Sequence, residues 1–228
     1  MNILDVFQKG LHIGSTHLPF DPSKKYAYVE HPIEGWRVYL RSAVFLHPTD
    51  EPFNPRRFLV VKKAKSHRTS ATWEPPKGQM EGKDIHGKSV HRQGRANPSL
   101  NEGRSVLKLL KENALRETAE ESHITRIQRF AHTGLVFQSQ ESDYPDNHFF
   151  QYHIFQGFVT PNTIQESFDT FEWAKEHPKA VARWSRDRKE KDAVAWFNPR
   201  ETRLNPRWAT DIVAAYCKHG NVNTILTI

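Results

Sequence analysis

The residues from Ser105 to Ser122 carry the clearest periodic pattern in the chain and predict one amphipathic helix. Apolar residues, with Asn113 among them, recur there at three- and four-residue steps, while charged residues fill most other positions. Runs rich in β-branched and aromatic residues predict strands on both sides of this helix: Trp36–Leu46, Arg57–Lys63, Ile124–Gln138, His148–Thr160 and Ala193–Phe197. This order of strands, loop, helix, strands and a closing helix indicates an α/β fold.

The first two strand runs look like a hairpin, and Pro206–His219 is predicted to be the closing helix, with Gly220 just past its end. The prolines and glycines of Trp73–Gly82 indicate an irregular loop. Residues 1–35 have no clear periodicity and predict an N-terminal extension packed on the domain of residues 36–228. That domain carries polar insertions near 85–104 and 161–192, the second with a helix of its own.

The composition limits the classes of protein that this chain can belong to. With 228 residues, of which 37% are hydrophobic, it is expected to fold around one core. Cys217 is the only cysteine, which rules out an intramolecular disulfide and a multi-cysteine zinc site. The sequence has neither a signal peptide nor a run of about 18 apolar residues, so we expect an intracellular protein, cytoplasmic or nuclear, with no membrane partner. The net charge of +7 favours anionic partners.

Chemistry is suggested by Arg116, Glu117, Glu120 and Glu121 in the predicted helix. Residues three and four positions apart lie on one face of a helix, so the three carboxylates can converge on one point. Hard cations such as Mg²⁺ take oxygen ligands of this kind and keep further positions for water and substrate phosphates. Taken alone, the same residues also fit the solvated face of an ordinary surface helix.

The loop upstream of the helix distinguishes these two interpretations. The first part of a two-part pattern is Gly78, followed after five residues by Asp84, and the second part is Arg116-Glu117-Thr118-Ala119-Glu120-Glu121-Ser122-His123-Ile124. This pattern resembles the signature of the Nudix hydrolases. The resemblance covers roughly residues 36–220 and implies an α/β/α sandwich with a mixed sheet and inserted loops.

The resemblance also implies a reaction and a set of site residues. The activity would be metal-dependent hydrolysis of a phosphoanhydride bond, with Mg²⁺ or Mn²⁺ as cofactor. Glu120 and Glu121 would coordinate the metal, and Glu117 would be a further ligand or would orient one. Arg116 would tie the loop to the helix through a carboxylate, and Lys77 and Gly78 would bind the substrate.

Three departures from the family pattern affect these expectations. The gap between Asp84 and Arg116 has 31 residues where the family has seven, which leaves the role of Asp84 open. Thr118 replaces an aliphatic residue. His123 replaces the glycine that ends the helix, so we expect a left-handed backbone there, which histidine tolerates better than most side chains.

The substrate remains open between a dinucleoside polyphosphate-like molecule and capped RNA. Basic residues of the first insertion, such as Lys88, Arg92 and Arg95, and the cluster Arg183–Lys191 around Trp184 suit a long polyanion such as RNA. The alternatives are a diphosphoinositol polyphosphate hydrolase and a non-catalytic nucleotide- or RNA-binding module. The general base is one of the helical glutamates or an acid of the loop Glu141–Asp146. The sequence makes no prediction of the oligomeric state.

Overall fold

The computed structural model describes residues 2–18, 21–67, 70–86 and 105–219, which form nine strands and five α-helices. The strands are β1 (His12–Leu18), β2 (Asp21–Glu30), β3 (Arg37–Pro48), β4 (Leu59–Lys63), β5 (Trp73–Glu74), β6 (Lys77–Gln79), β7 (Gln128–Ser139), β8 (His148–Val159) and β9 (Lys191–Trp196). The helices are α1 (Gly82–His86), α2 (Val106–Ser122), α3 (Pro161–Glu176), α4 (Pro178–Val181) and α5 (Ala209–His219). The fold is mixed α/β with a mixed sheet, as predicted.

The strands belong to two sheets. The larger one has the order β1-β2-β3-β8-β7, with β6 paired to β3 off this path, and the smaller one has the order β5-β4-β9. The chain as a whole divides into two compact units. The first unit contains Met1–Ser42, Gly78–Ala114 and Val136–His153, and the second contains Ala43–Lys77, Leu115–Leu135 and Ile154–Ile228.

The first unit contains the antiparallel pair β1 and β2, which runs from His12 opposite Glu30 to His17 opposite Lys25. Its aromatic cluster consists of Tyr26, Tyr39, Tyr144 and Phe150, with Tyr28 packed against it. The rings of Tyr39 and Phe150 stack with their centroids 5.1 Å apart. Aromatic pairs of this kind add to the stabilisation that comes from burying their area.

Two features of the first unit explain apparent exceptions in its sequence. Asn113 lies on the apolar face of α2 and is fully buried, but its Oδ1 accepts a 2.7 Å hydrogen bond from the Ser42 hydroxyl. A buried amide with a partner avoids most of the desolvation penalty. Ile85, which the sequence analysis assigned to a polar insertion, is buried in α1, so that assignment is wrong at this residue.

The second unit is centred on the aromatic side chains Phe45, Phe58 and Tyr216. Tyr216 of α5 stacks on Phe45 with 3.7 Å between ring centroids, and Phe58 meets Phe45 edge-on at 4.9 Å. The Tyr216 hydroxyl forms hydrogen bonds with His47 Nε2 at 2.6 Å and with Gln156 Nε2 at 2.8 Å. The polar end of this buried ring therefore has partners, as the burial of a tyrosine requires.

The second sheet contradicts one topology prediction. β4 does not form a hairpin with β3, because it lies between β5 and β9 in the smaller sheet. Its antiparallel register with β9 runs from Leu59 opposite Trp196 to Lys63 opposite Lys191. The connection from β3 contains Pro52 and Pro55, which do not favour a tight turn.

Two further expectations need correction. Trp73–Gly82 is not an irregular loop throughout, since it contains β5 and β6 and the first residue of α1. Residues 12–18 and 21–30, for which no regular structure was predicted, form β1 and β2. The signal that could have found β2 is the short run Tyr26–Val29, which is rich in aromatic and apolar residues.

No helix of the described ranges is long and apolar enough to cross a membrane.

Candidate active site

Helix α2 carries Arg116, Glu117, Glu120 and Glu121 in its last two turns, and its end is held by specific contacts within the second unit. The Ser122 hydroxyl donates to the carbonyl of Thr118 at 2.7 Å, and the Ser167 hydroxyl donates to the carbonyl of Ser122 at 2.6 Å. His123 follows with φ 59°, the left-handed conformation that the sequence predicted. The glutamates therefore stand on a helix whose end is fixed.

Arg116 joins two of the predicted site carboxylates. Its Nη2 lies 2.7 Å from Glu117 Oε1, and its Nη1 lies 2.6 Å from Glu120 Oε2. Charge-assisted hydrogen bonds of this length orient both partners. The guanidinium therefore holds Glu117 and Glu120 close together, which are two of the three carboxylates whose convergence the helical spacing predicted.

Glu121 has different partners. Its Oε2 accepts a 2.8 Å hydrogen bond from the backbone N–H of Lys77, and its Oε1 lies 2.9 Å from Lys191 Nζ. The side chain is only 4% exposed. Glu121 thus links the end of α2 to the first residue of β6 and to the start of β9.

The same ammonium group forms a close contact with a second acid, Glu74 of β5. Glu74 also pairs with Lys77, whose Nζ lies 3.5 Å from its Oε1. These contacts form what we call the lysine–glutamate network, which consists of the carboxylates of Glu74 and Glu121 and the ammonium groups of Lys77 and Lys191. Lys77 is half-buried and the other three side chains are buried. Burial of charges is tolerated when each charge has a partner of opposite sign.

Two members of this network, Lys191 and Glu74, were not predicted from the sequence. Lys191 was counted with an exposed basic cluster, but its side chain is 5% exposed, so that interpretation is wrong. Glu74 precedes the loop that carries the family resemblance and was given no role. Nothing in the local sequence indicates that these two residues meet, because 116 residues separate them.

The pKa values reflect burial and these charges. Burial raises the pKa of Glu117 to about 8; Arg116 opposes this shift, while the charges of Glu121 and Glu120 add to it. Burial also raises the pKa of Glu121, although Lys191 and Lys77 act against this effect.

The pKa values of the two other buried members of the network, Glu74 and Lys191, are shifted in the direction opposite to the one that burial favours. For Glu74, burial favours a higher pKa, but Lys77 and Lys191 outweigh it and hold the pKa below its usual value. For Lys191, burial favours a lower pKa, but Glu121 and Glu74 raise it overall. Lys191 is therefore charged at neutral pH, and Glu74 is its ionised partner.

Glu117 and Glu120 are carboxylate oxygen donors held close together, the kind of ligand that a hard divalent cation takes, and a bound cation would compete with the Arg116 guanidinium that now pairs with one oxygen of each. Glu121 fits less well, because each of its oxygens already has a partner. Across the described residues, no three side chains of His, Cys, Asp or Glu are grouped as a metal site.

The other predicted site residues lie in the loop region. Lys77 begins β6, and its ammonium lies 5.2 Å from the ring centroid of Trp208. Gly78 follows in β6 and belongs to the first unit, as does Asp84. The Asp84 carboxylate accepts a 2.8 Å hydrogen bond from the N–H of Glu81 at the start of α1. Lys88, Arg92 and Arg95 lie outside the described residues.

No protein-family model and no curated protein matches this chain. Among solved structures it is similar to a Nudix hydrolase from Nitrosomonas europaea, at 13% identity and a TM-score of 0.41, over 80% of this chain and 89% of the other. The solution structure of the E. coli ORF135 protein is similar at 13% identity and a TM-score of 0.41, over 85% of this chain and 98% of the other. A crystal structure of a Nudix hydrolase from Nitrosomonas europaea is similar at 13% identity and a TM-score of 0.38, over 92% of this chain and 88% of the other. These similarities do not establish a family.

Proposed function

We propose that this protein hydrolyses a phosphoanhydride bond in a nucleotide-like polyanion and that it needs Mg²⁺ or Mn²⁺ to do so. The observation that carries the proposal is the pair Glu117 and Glu120, held together on α2 by Arg116. The signature that resembles the Nudix box supports it, because these residues occupy the carboxylate positions of that signature. The lysine–glutamate network ties the same helix to β6, whose first residue is Lys77.

Each residue has a distinct part in this proposal. Glu117 and Glu120 would hold the cation, which when bound neutralises phosphate charge and activates water. Arg116 orients both carboxylates. Glu121 fixes the backbone of Lys77, so that the Lys77 side chain extends from a defined position. Lys77 supplies positive charge to the substrate phosphates.

One contact favours a nucleotide over a diphosphoinositol polyphosphate. Lys77 Nζ lies 5.2 Å from the ring of the half-buried Trp208. A nucleobase can stack on an indole while the attached phosphates reach the neighbouring ammonium, whereas an inositol ring has no aromatic face to stack. Trp208→Leu should therefore raise KM for a dinucleoside polyphosphate and leave that for a diphosphoinositol polyphosphate unchanged.

The experiment that tests the activity measures phosphate-bond cleavage with Mg²⁺ or Mn²⁺. The panel contains dinucleoside polyphosphates, capped RNA, nucleoside triphosphates and diphosphoinositol polyphosphates. We expect turnover on a nucleotide substrate, and a loss of at least about 100-fold in kcat for Glu120→Gln, because a neutral amide is a poor ligand for a hard cation. Glu166→Gln is the matched control, since Glu166 is an exposed glutamate whose carboxylate pairs with Arg126 at the surface.

A calorimetric titration with Mn²⁺ supplies a readout that is independent of turnover. Wild-type protein should bind the ion, Glu120→Gln should bind it more weakly, and Glu166→Gln should bind it normally. Absence of turnover on every substrate, together with absence of Mn²⁺ binding, would refute the proposal.

A second candidate function is a non-catalytic nucleotide- or RNA-binding module. The observation that favours it is the engagement of Glu121 by Lys77 and Lys191, which places one of the three signature carboxylates in contacts within the protein. RNA binding that persists in Glu120→Gln without any dependence on metal, in a protein that turns over no substrate, would select this alternative.

A further inference from the structure

Four side chains of the second unit form a continuous stack, which we call the ring column. The imidazole of His177 stacks on Trp173 with centroids 4.5 Å apart and planes at 12°. Trp173 stacks in turn with Trp184 at 6.2 Å and 19°. The guanidinium of Arg188 also lies over Trp184, 4.8 Å from the ring centroid. The column therefore combines two indoles with an imidazole that contacts Trp173 and a guanidinium that contacts Trp184.

The ring column is held in place but remains accessible. His177 Nδ1 forms a 2.8 Å hydrogen bond with the Trp173 carbonyl oxygen, which orients the imidazole, and Trp184 packs edge-on against His123 at 5.1 Å. Trp173 is nevertheless 42% exposed, and His177 is exposed as well. An exposed tryptophan within an ordered stack presents ring surface that the fold itself does not cover.

Basic residues outnumber acids in the segment that forms this column. From Trp173 to Glu190 the chain has six Lys or Arg residues and three acids, Glu176, Asp187 and Glu190. Neither Arg183 nor Arg186 forms an ion pair within the described part of the chain, and Arg186 is exposed. The nearby α3 behaves differently, since its Lys175 pairs with Glu172. The two arginines are thus available to an external anion.

We propose that the ring column and Arg183 and Arg186 form a binding surface for single-stranded RNA. Bases stack on imidazole rings and on guanidinium planes, and such stacking tolerates different base sequences. Phosphates between stacked bases would pair with Arg183 and Arg186. Single strands fit better than duplexes, because the faces of paired bases are already stacked on each other.

The geometry also indicates where bases can stack. Trp173 and Trp184 are 6.2 Å apart, and a base between them would need roughly 6.8 Å, twice the ~3.4 Å rise of stacked bases. Bases would therefore stack on the imidazole of His177 and on the guanidinium of Arg188 instead of between the indoles. Because Trp184 contacts His123, the residue after α2, a strand on this surface passes beside the end of the helix that bears the carboxylates.

The test is the binding of a fluorescein-labelled 12-nucleotide RNA, followed by fluorescence anisotropy in EDTA. Hydrolysis is absent under these conditions, so failure of the binding surface and failure of the proposed function give different results. We expect His177→Ala and Arg188→Lys each to weaken binding by about 5- to 150-fold, the equivalent of 1–3 kcal/mol per stacked base. Arg188→Lys keeps the charge and removes only the planar group. Binding of inorganic polyphosphate, which has no bases, should therefore be unchanged in this variant.

The charged part of the surface has a separate readout. The double variant Arg183→Ala/Arg186→Ala should reduce the slope of log K against log salt by about 1.4, because each phosphate contact to a single strand contributes roughly 0.7. Arg126→Ala is the matched control, since Arg126 is an exposed arginine that already pairs with Glu166. Circular dichroism melting establishes that each variant is folded.

Two results would overturn the assignment. One is RNA affinity that is unchanged in His177→Ala, in Arg188→Lys and in the double arginine variant. The other is binding to vesicles of phosphatidylcholine and phosphatidylserine with no binding to RNA, which would assign the surface to anionic lipid instead.

Discussion

Replacement of Lys191 by methionine tests the lysine–glutamate network. Methionine has a similar volume but no charge, so the variant leaves Glu74 and Glu121 buried without the ammonium group that contacts both. Removal of one partner from a buried ion pair costs about 3–5 kcal/mol, because an uncompensated charge remains. For a protein of this size, each kcal/mol corresponds to about 2–4 °C in Tm, so we expect a decrease of roughly 6–20 °C.

The assay is urea unfolding followed by circular dichroism, with the midpoint and the m-value compared between variants. Lys175→Met is the matched control, since Lys175 pairs with Glu172 at the surface, where such pairs contribute about 0–1 kcal/mol. A second substitution, Glu121→Gln in the Lys191→Met background, should recover part of the lost stability by removing one buried charge. A free energy of unfolding for Lys191→Met within about 1 kcal/mol of wild type would refute the network as a stabilising element.

Four further predictions concern stability. Burial lowers the pKa values of His47 and His132 to about 4. Between pH 6.5 and 4 the unfolded chain therefore binds protons that the native state does not, so the free energy of unfolding should fall by up to about 1.4 kcal/mol per pH unit for each histidine. The variant His47→Gln should show a smaller dependence of this free energy on pH. His123→Gly should be about 1 kcal/mol more stable than His123→Ala in urea unfolding, because φ is 59° there and both changes remove the same ring. Ile85→Ala should lower the free energy of unfolding by about 2–5 kcal/mol in the same assay, because Ile85 is buried. Deletion of residues 88–104 should leave a folded protein with a cooperative melting transition.

The elements that the sequence predicted well are those whose signal is local. Helix α2 matches its prediction to within one residue at its start, and β8 and β9 are close to their predicted ranges. Periodicity and side-chain type are properties of a short segment, so they can be read without knowledge of the partner. The left-handed His123 belongs to the same group, because a helix end is also a local structure.

The errors concern long-range partners. β4 pairs with β9, whose first residue is far along the chain, and no local pattern distinguishes that pairing from a hairpin with β3. The candidate site shows the same limit. Helical spacing correctly placed Glu117 near Glu120, but the partners of Glu121 depend on where the chain brings Lys191. A lysine at the start of a strand is usually solvated, and only tertiary structure shows that this one is buried.

A charge count connects the lysine–glutamate network to the proposed chemistry. Glu74, Glu117, Glu120 and Glu121 face Lys77, Lys191 and Arg116, so the site has four carboxylates and three cationic groups. Burial, together with the charges of Glu121 and Glu120, raises the pKa of Glu117 to about 8, and protonation of this carboxylate at neutral pH brings the total to zero. Under the proposed function, a divalent cation would displace that proton and leave a net charge of +1. The site would then attract a polyphosphate, and Lys191 would contribute by neutralising Glu121 within the protein without contacting the substrate.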